Sequence, residues 1–153
     1  TSNLLKGLKS SLGNKATNSF EKKVQRLLTS SKVDYKIHCL IESVNKNVIS
    51  DFVIFKDNIP RIVIEARQTQ PKNKRRFYDL LKMHAIRIDH KMQGIKLRWP
   101  KLKTVAILSS KHIPIKELSP NLIAEFLNTD KIIVDSDLNQ LPIYVKSILR
   151  KPF

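Results

Sequence analysis

The sequence predicts a single α/β domain built on a mixed sheet flanked by helices. Three observations predict it. Runs rich in β-branched and aromatic residues at 35–41, 49–55 and 61–66 follow one another across short turn-like segments, the pattern of an antiparallel meander. A long helix-like stretch then leads to the apolar run 104–109, the kind of connection that returns a chain to a parallel neighbour by a right-handed crossover. The length, 153 residues, suits one domain with a real hydrophobic core.

The elements follow in order. Residues 1–18 hold Gly7, Gly13 and many Ser, Asn and Lys, and read as a flexible basic arm ahead of a domain over 19–153. A helix begins near Ser19, with Phe20, Val24, Leu27 and Leu28 on one face and Thr17, Asn18 and Ser19 as N-cap candidates. Asn45-Lys46-Asn47 and Asp57-Asn58-Ile59-Pro60 separate the first three strands. Residues 71–76 form a basic loop. A helix runs from about Arg75 toward Leu97, with Phe77, Leu80, Leu81, His84, Ile88 and Met92 near one face; Gly94 frays its end and Trp99-Pro100 breaks it. After the strand at 104–109, Ser119-Pro120 is a good N-cap and N1 pair for another helix. A short strand at 131–134 and a helix at 142–150 complete the order helix, three strands, helix, strand, helix, strand, helix.

Net charge is +16, which points to a polyanionic partner: DNA, RNA or an anionic surface. No apolar run reaches the length of a spanning helix and no lipidation motif is visible, so a membrane is not the expected partner. Cys39 stands alone, which excludes an internal disulfide framework and suits an intracellular compartment. The first 19 residues are basic, Ser-rich and free of acids, as transit peptides are, but they hold no arginine.

A chain this basic has few acids, and two of them interrupt apolar strands. Asp51 lies in Ile49-Ser50-Asp51-Phe52-Val53 and Glu65 in Ile62-Val63-Ile64-Glu65-Ala66-Arg67. Strand alternation puts Asp51 with Val53 and Glu65 with Val63, so paired neighbours bring the two carboxylates within reach of one divalent ion. A hard cation, Mg²⁺ or Mn²⁺, resolves their repulsion and can activate water, and the Ala66 carbonyl can complete its shell. Each acid also has a plain alternative. Glu21 stands three residues after Asn18, as the N3 partner of a helix cap does; Asp51 can be a solvated edge residue; Glu65 and Arg67 can form an exposed charge pair.

The order of helix with Glu21, strand with Ser50-Asp51, strand with Glu65-Ala66-Arg67, helix and strand resembles the PD-(D/E)XK nuclease superfamily over about 19–109. The resemblance implies a restriction-endonuclease-like αβββαβ core, here with an extra C-terminal helix, strand and helix. It implies a metal-dependent endonuclease that hydrolyses DNA phosphodiester bonds. Asp51 and Glu65 would hold Mg²⁺, with Mn²⁺ as a substitute. Glu21 would assist as a further ligand or through water, and Arg67 or Gln68 would place water or charge. The substrate is duplex or branched DNA, as in the restriction, homing and junction-resolving branches. Cutting both strands needs two sites, so a homodimer or larger homo-oligomer is expected. Two positions depart from the pattern. Ser50 stands where a proline is usual, and Arg67 stands where a lysine is usual; arginine keeps its proton and cannot act as a general base. The lysine's role would then fall to Gln68, Gln70 or Lys72. A basic binding domain with a degenerate site, or an RNA nuclease of the same fold, are the alternatives.

From 72 to 103 the chain carries Lys72, Lys74, Arg75, Arg76, Lys82, Arg87, Lys91, Lys96, Arg98, Lys101 and Lys103, against only Asp79 and Asp89. With so few acids to pair it, this run reads as a phosphate-binding face. Tyr78 and Trp99 can stack on bases or pack in the core, and Lys6, Lys9 and Lys15 can track a backbone. His38, His84, His90 and His112 have no zinc-motif spacing and read as packed or surface histidines.

Overall fold

The computed structural model describes residues 9–10, 18–44, 46–69, 74–111, 115 and 118–152. The chain runs β1 (Lys9–Ser10), α1 (Ser19–Ser30), β2 (Asp34–Glu42), β3 (Asn47–Lys56), β4 (Ile59–Thr69), α2 (Lys74–Arg98), β5 (Lys103–Ser110), α3 (Pro120–Ile123), β6 (Lys131–Val134), a 3-10 turn at Asp135–Asp137, and α4 (Gln140–Leu149). The fold is α/β, with the helix, three-strand, helix, strand order that the sequence predicts. The strands form one sheet in chain order. Strands β1 to β4 are antiparallel, whereas β5 and β6 run parallel to their neighbours and are reached through helical connections. Within the predicted arm, Lys9 and Ser10 pair with Leu40 and Cys39 at the sheet edge, and the rest of 1–17 lies outside the described residues.

Each face of the sheet carries its own core. Helix α2 packs Leu81, Ile88, Met92 and Ile95 against Val53, Phe55 and Val63. Helices α1 and α4 pack Val24, Leu28, Leu141 and Val145 against Ile54, Ile62 and Ile64. The continuous run Ile62-Val63-Ile64 is thus a centre strand covered on both faces, which is why it does not alternate with polar residues.

Local chemistry sets the ends. The two residues Asp57 and Asn58 join β3 to β4 with φ of 52° and 63°, the left-handed pair that a tight hairpin requires. Near this turn the ladder slips by one residue, and the extra residue is Arg61. Strand β4 runs three residues past its predicted end, because Arg67, Gln68 and Thr69 stay in the parallel ladder with Leu108, Ser109 and Ser110. The polar side chains hid that extension from the sequence pattern. Gly94 does not fray α2. It lies inside the helix, where the β2–β3 turn comes so close that a Cβ would collide with Ser43 Oγ. The Val44 N–H donates to the Gly94 carbonyl at 3.1 Å, and the Trp99 indole donates to the Glu42 carbonyl at 2.9 Å. None of the described helices is long and apolar enough to cross a membrane.

Candidate metal centre and basic face

The site forms where β3 and β4 part. Their ladder runs in register to Phe52 opposite Ile64, so the next step sets Asp51 against Glu65. There side chains take over from the backbone. Asp51 Oδ2 accepts the Ala66 N–H at 2.8 Å, and Ser50 Oγ donates toward the carbonyls of Phe52 and Ile64 at 3.2 and 3.4 Å. The Ala66 carbonyl faces the same gap, since one residue's N–H and C=O point to the same side of an extended strand.

Glu65 is fully buried. Its Oε1 accepts a hydrogen bond from Lys91 Nζ at 3.0 Å, and Lys91 also donates to the Ile49 carbonyl at 2.8 Å. Its Oε2 has no hydrogen-bond partner among the described residues. Burial, then the neighbouring Asp51 carboxylate, push the Glu65 carboxyl up to about 8, against the opposing charge of Lys91. A group in that state takes either a proton or a further cation at neutral pH.

Lys91 therefore does not simply join the phosphate-binding face, where the sequence reading put it. Its signal was present in the sequence: His84, Ile88, Lys91 and Ile95 recur at spacings of 4, 3 and 4, so a lysine sits on the packed stripe of α2.

A second group adjoins Asp51. Glu21 Oε2 lies 3.3 Å from His38 Nε2, and both side chains are buried. One ligand-capable atom each from Glu21, His38 and Asp51 lie within 4.8 Å of one another. The Glu21 N–H is capped by Asn18 Oδ1 at 2.8 Å, as the capping alternative requires, but the Glu21 carboxylate meets His38. His38 has φ of 49°, an uncommon value outside glycine. The strand changes face there: Ile37 packs in the α1 and α4 core, whereas Cys39 and Ile41 pack under α2. Ile37 pairs with Phe52 and Cys39 with Ser50, which leaves His38 opposite Asp51. Sequence reasoning missed this histidine, because only the strand register brings it to the site.

The remaining predicted residues scatter. Arg67 is exposed, and Gln68 is half-buried beside it. Burial and the charges of Arg67 and Arg87 hold the His84 imidazole below its ordinary value. Gln70 and Lys72 lie outside the described residues, as do the side chains of Lys74 and Arg75. Arg76 and Arg87 are exposed. Lys82 approaches Glu125 at 3.8 Å, Lys96 pairs with Asp130 at 2.6 Å, and Arg98 pairs with Glu42 at 3.4 Å while lying 4.0 Å over the Trp99 ring. Lys96 and Arg98 thus brace the fold, as does Trp99, whereas Tyr78 is exposed. A cleft of about 260 Å³, lined by Lys46, Val48, His90, Lys91, Gly94 and Leu97, opens beside Lys91.

No family model matches the chain, and no curated protein matches it at a significant level. Among solved structures it is similar to the crystal structure of a protein of unknown function, AF1548, with a TM-score of 0.48 and 12% identity over 85% of this chain and 67% of that one.

Proposed function

We propose that the protein is a metal-dependent endonuclease of the PD-(D/E)XK type that hydrolyses DNA. The observation that carries this reading is the buried carboxylate pair at the parting of β3 and β4: Glu65 Oε2 meets no hydrogen-bond donor among the described residues, with only the Asp51 carboxyl beside it, while Lys91 Nζ stands 3.0 Å from Oε1. An unpaired buried carboxylate oxygen beside a second carboxylate is costly, and a divalent ion answers both charges. Asp51, Glu65 and the Ala66 carbonyl form an oxygen donor set that suits Mg²⁺ or Mn²⁺. Such an ion polarises a phosphate oxygen and lowers the pKa of bound water.

The chain's own residues supply the rest. The Ala66 N–H fixes the orientation of Asp51. Lys91 holds Glu65 and can orient an attacking water, the part that Arg67 cannot take as a base. Exposed Arg67, two residues beyond Glu65, can stabilise charge on the phosphorane. Arg76 and Arg87 would contact flanking phosphates. Two-strand cutting requires two such sites, so a homodimer within the cell is the working assembly.

The test is incubation of the protein with supercoiled plasmid, a four-way junction and RNA, each with Mg²⁺ or EDTA. Metal-dependent cutting of DNA, abolished in Asp51→Ala and in Glu65→Ala, is the expected result. Cleavage that persists in both variants moves the site elsewhere. Salt-sensitive binding with no cleavage of any substrate replaces the nuclease with a binding domain.

A further inference from the structure

We propose that Glu21, His38 and Asp51 form an ion subsite with a nitrogen donor, which makes a first-row transition ion such as Mn²⁺ the preferred occupant over Mg²⁺. The proposal rests on the reading of Asp51 and Glu65 as a metal centre, and it adds a ligand and a selectivity to that centre.

Four observations carry it. The ligand-capable atoms of Glu21, His38 and Asp51 lie within 4.8 Å of one another, a span that one ion with ligand distances of about 2.0–2.6 Å can bridge. The Glu21 carboxylate lies 3.3 Å from His38 Nε2, about the separation that two neighbouring donors of one ion keep at ligand distances of about 2.0–2.6 Å. His38 adopts a left-handed φ of 49° in mid-strand, and the strand changes face at that residue, so the backbone is shaped to hold the imidazole opposite Asp51. Independently, the fully buried Glu65 Oε2 meets no hydrogen-bond donor among the described residues, and the Asp51 carboxyl beside it can bond Glu65 only by sharing a proton. Asp51 is therefore shared between an oxygen-rich side toward Glu65 and a mixed nitrogen–oxygen side toward His38. Mg²⁺ favours oxygen donors and holds its waters, whereas imidazole suits first-row transition ions.

The experiment is pulsed electron paramagnetic resonance on the metal-free protein loaded with Mn²⁺ alone, together with titration of Mn²⁺ and of Mg²⁺. The expected result is a nitrogen modulation on the bound Mn²⁺ in the unmodified protein and its loss in His38→Asn. Asparagine accepts a positive φ, so it is the substitution that strains the strand least. Mn²⁺ affinity should fall about tenfold or more in that variant, with Mg²⁺ affinity changed less than about threefold. Should His38→Asn fail to fold, the variant with His84→Gln, His90→Gln and His112→Gln leaves His38 as the sole histidine. Modulation retained there supports the site, and modulation lost there overturns it. Absence of modulation in the unmodified protein, or its survival in folded His38→Asn, also overturns it. The two readings fail separately. A protein that binds Mn²⁺ through nitrogen but cuts nothing keeps this subsite and loses the nuclease. One that cuts with Mg²⁺ but shows no nitrogen coupling keeps the nuclease and loses the subsite.

Discussion

The ionisation of Glu65 is contested by everything around it. Burial and Asp51 favour its protonated form, and Lys91 favours its charged form, with the balance near pH 8. The unfolded chain ionises this group near 4.5, so between about 4.5 and 8 the folded state holds a proton that the unfolded state has released. Metal-free protein should therefore lose stability as pH rises through that window. A thermal melt in EDTA at several pH values measures this, and Glu65→Gln should flatten the dependence. Adding Mn²⁺ should raise the midpoint most at the upper end of the window, where the ion competes with the fewest protons. Lys91→Met keeps the stem of the side chain and removes its charge. It should lower cleavage by about 10²–10³-fold, the loss expected of one preorganised donor, while Arg67→Met has the smaller effect. Asp51 and Glu65 were legible in the sequence because each breaks an apolar strand at a position whose face alternation gives away. Lys91 was half legible, as a cation on a packed helical stripe. His38 was not, since it meets Asp51 only through the register of β2 on β3 and a backbone turn that no propensity signals.

Helix α2 is the element that carries Lys91 to the sheet, and two acids, Asp130 and the buried Asp89, brace its surroundings. Asp89 accepts from the Asn128 N–H at 2.7 Å, from Asn128 Nδ2 at 3.0 Å and from Thr129 Oγ1 at 3.2 Å, which fastens the segment between α3 and β6 onto the helix. Asp89→Ala strands those donors and should cost about 2–4 kcal/mol in urea denaturation. Asp130 receives Lys96 and the Thr104 N–H; burial opposes its ionisation, but these partners prevail and hold its carboxyl below the ordinary range. Its contribution is complete above about 3.8 and is lost as pH falls through the lower folded value. The helix itself was plain in the sequence from its apolar stripe. The passage of the helix through Gly94 was not, because glycine reads as a helix end until the β2–β3 turn is seen resting on it.

At the scale of the whole molecule the charge of +16 is unevenly available. Arg87 is exposed, whereas Lys96 is paired with Asp130. Fluorescence anisotropy of duplex DNA binding against salt should therefore separate them. Arg87→Ala should reduce the slope of log affinity on log salt by about 1, whereas Lys96→Ala should leave the slope unchanged and lower the melting temperature instead. The order of elements, the meander and the parallel return were all readable from apolar periodicity. The division of the basic run into bracing and exposed cations was not, because counting acids within the run overlooks Glu42, Glu125 and Asp130 from elsewhere in the chain.

The bulge residue Arg61 gives this architecture a mechanical consequence. Its guanidinium donates to the carbonyls of Ile148 at 3.0 Å and Lys151 at 2.7 Å, and Lys56 Nζ reaches the Leu149 carbonyl close by. The end of α4 is thereby moored to the strand that bears Glu65, four residues from the gap. A load applied beyond Lys151 passes into β4 through those bonds. Tension applied to the segment beyond Lys151 would therefore pull on the strand that shapes the site.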